Sequence, residues 1–185
     1  MGIIGDGLER ADQEAFTRPI PKSAGAQMRY LVKQLKGTRA TAELLGVSQR
    51  TVERYVKDQI RRPRSDLAQR LVDAVRARWQ PQVRKRRQQQ AATTGGITVE
   101  TRARFGYTAP IGTTDDGRFR RLTVHLPPDY ARRLFDARDS GASDQQMRGI
   151  IAEGFKYVYF QDGGSRATGL SDVEINDIDY LDLDY

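Results

Sequence analysis

The chain contains no cysteine, a single histidine (His125) and a single tryptophan (Trp79). Without thiols there is neither a disulfide framework nor a thiolate metal site, and one imidazole cannot build a zinc or haem constellation. No run of about eighteen or more apolar residues occurs, and the first residues lack the basic-then-apolar order of a secretory signal. The expectation is a soluble, intracellular protein. There is also no glycine-rich phosphate loop and no polymerase-like set of carboxylates, which speaks against an enzyme acting on nucleotides by itself. What 185 residues do provide is length for two small domains.

Charge is present in excess and unevenly placed. The 31 basic and 24 acidic side chains leave a net +7. Residues 1–20 hold 2 basic and 4 acidic groups, 21–90 hold 18 and 5, 91–170 hold 11 and 9, and 171–185 hold 0 and 6. A segment at +13 calls for phosphate neutralisation and counterion release. A membrane surface would attract it too, but no segment carries the apolar face with a basic rim that interfacial helices need.

Within the cationic segment, residues 38–57 have the spacing of a helix-turn-helix. Ala42 is small enough for close helix approach, Gly46 supplies the positive φ of a short turn, and Val52 packs the second helix on the first. Leu44, Leu45, Val47, Tyr55 and Val56 are expected to complete the shared core. Ser48 can cap the second helix, so that Gln49, Arg50, Thr51 and Arg54 sit on its first two turns; with Ser48 and Lys57 they are the candidate DNA contacts, Gln49 and Thr51 toward base edges and Arg50 and Arg54 nearest the duplex.

Flanking elements follow from periodicity and breakers. Residues 6–17 can form a short amphipathic helix with Leu8, Ala11, Ala15 and Phe16 on one face. A supporting helix starts at Ser23, with Met28, Leu31, Val32 and Leu35 inward and Gly37 as its stop. Another begins near Ser65, bearing Leu67, Leu71, Val72, Val75 and Trp79; the tryptophan suits a core, with base stacking as the alternative. Residues 83–96 turn from basic to polar and small, and read as a linker whose Arg84 to Arg87 run is either a solvated helix extension or an arm tracking DNA.

The second half has a different character. Residues 102–111 and 118–126 have strand character, and residues 112–117 between them have the composition of a hairpin loop. Pro127-Pro128-Asp129 opens a helix with Tyr130, Leu134, Phe135 and Ala137 inward, and Ser143 caps another over 144–159 with Met147, Ile150, Ile151, Phe155 and Val158. This order resembles a ribbon-helix-helix unit, with Arg121, Thr123 and His125 on one strand face as a candidate second DNA contact and Leu122, Val124 and Leu126 on the other. A unit so small implies a homodimer; a hairpin covered by two helices without a DNA role is the plainer reading. Residues 171–185 interleave six acids with seven large apolar residues, which suits either a disordered tail or a segment docking on a partner or on the basic module.

The expected fold class is therefore α+β: an N-terminal segment (1–22), an all-α helix-turn-helix domain (23–82), a linker (83–96), a strand-helix-helix domain (97–170) and an acidic tail (171–185). Taken together, residues 2–8 (GIIGDGL), 41–55 (TAELLGVSQRTVERY), 112–117 (GTTDDG) and 122–128 (LTVHLPP) make the chain resemble the terminal proteins that cap the telomeres of linear Streptomyces-type chromosomes and plasmids. The helix-turn-helix alone is common to many regulators, so the resemblance rests on its combination with the other three segments.

The resemblance implies a protein joined covalently to the 5′ ends of telomeric DNA that primes synthesis across the recessed end. It places the attachment hydroxyl on Thr114, with Thr113 as near rival and Tyr107, Thr108 and Ser143 as weaker ones. It implies as partners telomeric DNA, a telomere-binding companion protein and a replicative DNA polymerase, and a nucleoid location at replicon ends. Such a protein is a polymerase's substrate and primer; it needs no cofactor of its own, since Mg2+ and the deoxynucleotide arrive with the polymerase. Asp115 and Asp116 suit turn formation, or a role beside metal or as a mimic of primer charge. The competing expectations are a dimeric helix-turn-helix transcription regulator and a DNA-localised adaptor acting through its acidic tail.

Overall fold

The computed structural model describes residues 2–110, 112–115 and 118–185, with the backbone alone at Thr114 and Asp115. Among these residues the chain is mixed α+β, with eight α-helices and a four-stranded antiparallel sheet. It divides into two compact units: Thr17–Pro81, entirely helical, and Met1–Phe16 with Gln82–Tyr185, which holds the sheet. The helical unit is thus an insertion between two segments of the sheet unit. No helix among the described residues is long and apolar enough to cross a membrane.

The helical unit comprises α2 (Ala24–Gln34), α3 (Thr38–Leu45), α4 (Gln49–Val56) and α5 (Ser65–Arg76). Ser23 caps α2 by accepting from the Ala26 amide, and Met28 and Leu31, one turn apart, are fully buried. Gly46 takes the left-handed conformation (φ 61°) that ends α3, and only Gly46, Val47 and Ser48 separate α3 from α4. Ala42, Leu45, Val52 and Tyr55 meet Leu67, Leu71 and Val75 in one core. Leu44 departs from the expected core and is 41% exposed. With Thr41, Ala42 and Leu45 fixing the inner face of α3, a residue one position away from Leu45 points about 100° round the axis. Trp79 packs partly buried against Tyr30, ring centroids 4.7 Å apart, and its Nε1 donates to the Arg18 carbonyl at 3.1 Å. Thr17 and Gln80 bond in the same corner, tying the two ends of the inserted unit together.

The sheet unit corrects several sequence expectations. The first helix, α1 (Ile3–Glu14), is no isolated N-terminal segment: Ile4, Leu8 and Ala11 are buried in the core of this unit. Residues 83–96 are no linker, because α6 (Pro81–Gln90) continues into a π-helical turn, Ala91–Gly95, with Ala91 buried. The contacts that fix α6 are polar. Arg84 forms a bidentate pair with Glu9 at 3.0 Å, and Gln88 donates to Asp12 at 2.9 Å. A composition reading, which looks for apolar stripes, passes over such a helix.

At the centre stands β1 (Ile97–Ala109). It pairs along 98–108 with β4 (Asp172–Asp184), and on its other edge with β3 (Arg120–Leu126) and then β2 (Gly112–Asp115). The acidic tail is therefore a strand. Its alternation sends Val173, Ile175, Leu181 and Leu183 into the core and leaves its acids outside. Helices α7 (Pro128–Asp139) and α8 (Asp144–Phe155) contribute Leu134, Ile151 and Phe155 to the same core. Gly154 gives room here: a Cβ would stand 2.8 Å from the end of the buried Leu126 side chain, which would have to shift. The order β3, α7, α8 is as expected, yet β3 already pairs with β1 of its own chain. The reason for expecting a dimer, an apolar face too large for a small unit to cover, is thereby removed.

Candidate nucleic-acid interface and priming segment

The two units have opposite charge. The helical unit holds 15 basic and 5 acidic residues, a net +10, and the sheet unit 16 and 19, a net −3. Within the helical unit Arg29 pairs with Asp58, Arg39 with Glu43 and Arg70 with Asp66. Lys22, Arg50, Arg54, Lys57, Arg61, Arg62 and Arg64 make no ion pair among the described residues, and all seven are exposed. A ligand that binds such a cation does not first have to break an existing pair.

Helix α4 collects most of the sequence-expected contacts. The Ser48 hydroxyl accepts from the Thr51 amide at 3.2 Å and lies 2.8 Å from the Thr51 hydroxyl, which fixes the N-terminus of α4. Ser48, Gln49, Arg50, Arg54 and Lys57 are exposed and Thr51 is half-buried. The Gln49 amide donates to the Thr38 hydroxyl at 3.0 Å and to Glu53 at 3.1 Å, so it must leave these partners to read a base. Tyr55 anchors the helix from below; burial raises its pKa, against the pull of Arg54.

Of the priming candidates, Tyr107, Thr108, Thr113 and Thr114 fall at one end of the sheet, where the expected hairpin loop is corrected. Ala109 faces Gly112 and Tyr107 faces Thr114, so Gly112–Asp115 is a strand running antiparallel to the end of β1. Two β-branched threonines favour extended backbone, which a reading of the glycines and aspartates alone overlooks. Asp116 and Gly117 lie outside the described residues. Thr113 is exposed, its hydroxyl 3.3 Å from that of Thr108, and the Thr108 carbonyl accepts from the Ser171 amide at 2.7 Å. Tyr107 is half-buried with its ring edge-on to Phe160. Ser143 forms a complete capping box with Gln146 at the start of α8, a structural use that accounts for it.

Arg121, Thr123 and His125 share the exposed face of β3, as the alternation requires. That face is internally neutralised. Arg121 donates to Glu100 at 2.5 Å, Glu100 also accepts from Tyr180 at 2.7 Å, and His125 Nδ1 lies 3.0 Å from the Thr98 hydroxyl. These bonds, Tyr180 first and then Arg121, hold the Glu100 carboxyl below its usual pKa. Beside them Arg102 pairs with Asp179 and Arg104 with Asp177, acids of β4.

Sequence reasoning misses two clusters. Around fully buried Asp12, Gln88 donates to both carboxylate oxygens at 2.9 Å, Arg138 at 3.1 Å and the Tyr185 hydroxyl at 2.6 Å. Burial and the Asp12 charge push the Tyr185 hydroxyl far up in pKa. Burial disfavours the Arg138 charge as well, but Asp12 and Asp139 outweigh it and raise the guanidinium pKa. The second cluster is Arg61-Arg62-Pro63-Arg64, whose signal is the basic run itself. Among the described residues no group of three or more His, Asp or Glu side chains could hold a metal ion. Compared with known proteins, the chain matches no family model, no curated protein and no solved structure.

Proposed function

We propose that the chain is a terminal protein of the kind that caps linear replicons: the helical unit binds duplex DNA near an end through a helix-turn-helix, and the sheet unit carries the hydroxyl that primes synthesis. The observation that supports this most is α4. A helix capped by Ser48 after a three-residue turn presents Arg50, Arg54 and Lys57 to solvent, without ion pairs among the described residues, on a unit at +10. Arg50 stands in its first turn, Arg54 in its last and Lys57 at its C-cap, so that basic groups run the length of a helix of the kind that enters the major groove. Thr114 as attachment point rests on the sequence resemblance alone; its backbone pairs with Tyr107 at the end of β1, so the segment has to leave that pairing to enter a polymerase.

In the reaction the Thr114 hydroxyl oxygen attacks the α-phosphorus of a deoxynucleoside triphosphate. The new O–P bond forms as the bond to pyrophosphate breaks, the hydroxyl proton passes to a base of the polymerase, and the nucleotide's 3′-OH becomes the primer end. The polymerase supplies the metal ions that stabilise the developing charge. Thr114→Ser keeps an attacking oxygen and should accept labelled deoxynucleotide in the presence of the replication extract, whereas Thr114→Val should accept none. Labelling of the valine variant at the wild-type level would move the attachment to Thr113 or another hydroxyl.

A further inference from the structure

In the helical unit, the segment that leaves α4 and the residues that precede α2 together line a groove of about 440 Å³, bounded by Lys22, Arg61 and Arg62, with Ala24, Ala68 and Val72 among its apolar walls. None of its lining residues is acidic. Asp58, which lies against Gly25 at the start of α2, is taken by Arg29 at 2.9 Å. Lys22, Arg61 and Arg62 therefore face solvent with their charge uncompensated among the described residues, and Arg64 continues the run. Pro63 fixes its own φ and restricts the residue before it, so Arg62 is presented from stiffened backbone.

We propose that this groove seats a backbone phosphate of duplex DNA, and that Lys22, Arg61 and Arg62 grip the sugar-phosphate chain while α4 meets the major groove. The inference rests on the reading of α4 as a recognition helix and adds a second, sequence-independent contact to it. In sequence the cations without ion pairs run on from Arg50, Arg54 and Lys57 to Arg61, Arg62 and Arg64, which suits a polyanion with charge repeated along its length. A small anion would meet only one part of this stretch. Apolar walls beside the cations suit a deoxyribose lying next to its phosphate.

The full-length protein is titrated with a fluorescent duplex of about 20 bp, two turns of DNA, over a series of salt concentrations. Changing Lys22, Arg61 and Arg62 together to glutamine should weaken binding equally on two unrelated duplex sequences. The slope of log K against log salt should become less negative by about two to three units, at ~0.9 for each phosphate no longer neutralised. Arg61→Lys with Arg62→Lys keeps the charge and should retain most of the slope, which separates removal of charge from failure to fold. An unchanged slope in the glutamine variant, with wild-type protein still binding, overturns the groove and leaves α4 standing. Failure of wild-type protein to bind duplex at all overturns the α4 reading as well. Displacement of the labelled duplex by poly-glutamate as readily as by unlabelled duplex would overturn the proposal in favour of an acidic peptide.

Discussion

The helical unit and the sheet unit treat charge in opposite ways. In the sheet unit arginines are engaged internally: Arg84 with Glu9 and Asp12, Arg102 and Arg104 with Asp179 and Asp177, Arg121 with Glu100, Arg133 with Glu153 and Arg138 with Asp12. In the helical unit the cations of α4 and of the segment behind it have no ion-pair partner among the described residues. The two units hold similar numbers of basic residues, 16 and 15, but ion pairs engage more of them in the sheet unit, while seven exposed cations of the helical unit are left to an outward field. Net charge by itself would not separate a cation that holds the fold from one that is available to a ligand.

The largest way to break this comparison is Asp12→Ala. It leaves Arg138 buried beside no acid but Asp139, and removal of one partner from a buried pair costs about 3–5 kcal/mol. Hydrogen exchange should accelerate across β1 and α1 while α3 and α4 keep wild-type protection. Loss of protection in both units together would mean that they are one cooperative body. A second test excises 17–81 and joins Phe16 to Gln82 through a short glycine-serine linker. Because Thr17 and Gln80 are hydrogen-bonded, the ends to be joined lie near one another. The remaining chain should show the protected β1 and β4 amides of the full protein and lose duplex affinity; an unfolded product would show that the inserted unit is needed for the sheet.

Much of the helical unit is legible in sequence because its determinants are local. Ala42, Gly46, Ser48 and Val52 each act within one or two turns, and the structure places all four where their spacing implies. The sheet unit is less so. Its decisive contacts join residues far apart, such as Asp12 with Arg138 and Thr101 with the Tyr180 carbonyl, and no local pattern announces them. The alternation of residues 171–185 is visible, but its partner β1 is not, so a strand reads as a tail. At residues 112–117, glycines and aspartates suggest a loop, while residues 112–115 pair with the end of β1. The run at Arg61 to Arg64 is plain in sequence, yet only folding brings Lys22 to the same groove.

Smaller effects sharpen the contrast. Ser48→Ala removes the cap of α4 and should cost ~1 kcal/mol, seen as a lower melting midpoint of the helical unit and weaker duplex binding, with the sheet unit unchanged. If binding fell with no change in melting, Ser48 would be contacting DNA and not only capping. The smallest effect belongs to Glu100, whose pKa is lowered in the fold by Tyr180 and Arg121. Its contribution is fully present above the unfolded value of about 4.5 and is lost as pH falls through the lower folded value. Glu100→Gln should flatten this small acid limb in the sheet unit alone, and an NMR titration of the Glu100 carboxyl should give a midpoint below that of a free glutamate.

The central claim, that DNA is joined to the sheet unit while the helical unit holds the duplex, is tested most directly by intact mass. The protein is purified from its host cells, digested exhaustively with nuclease, and mapped by peptide mass spectrometry. The account predicts a residual nucleotide in phosphodiester linkage on the peptide that contains Thr113 and Thr114. Protein with no added nucleotide, or with one on a peptide of the helical unit, would contradict it.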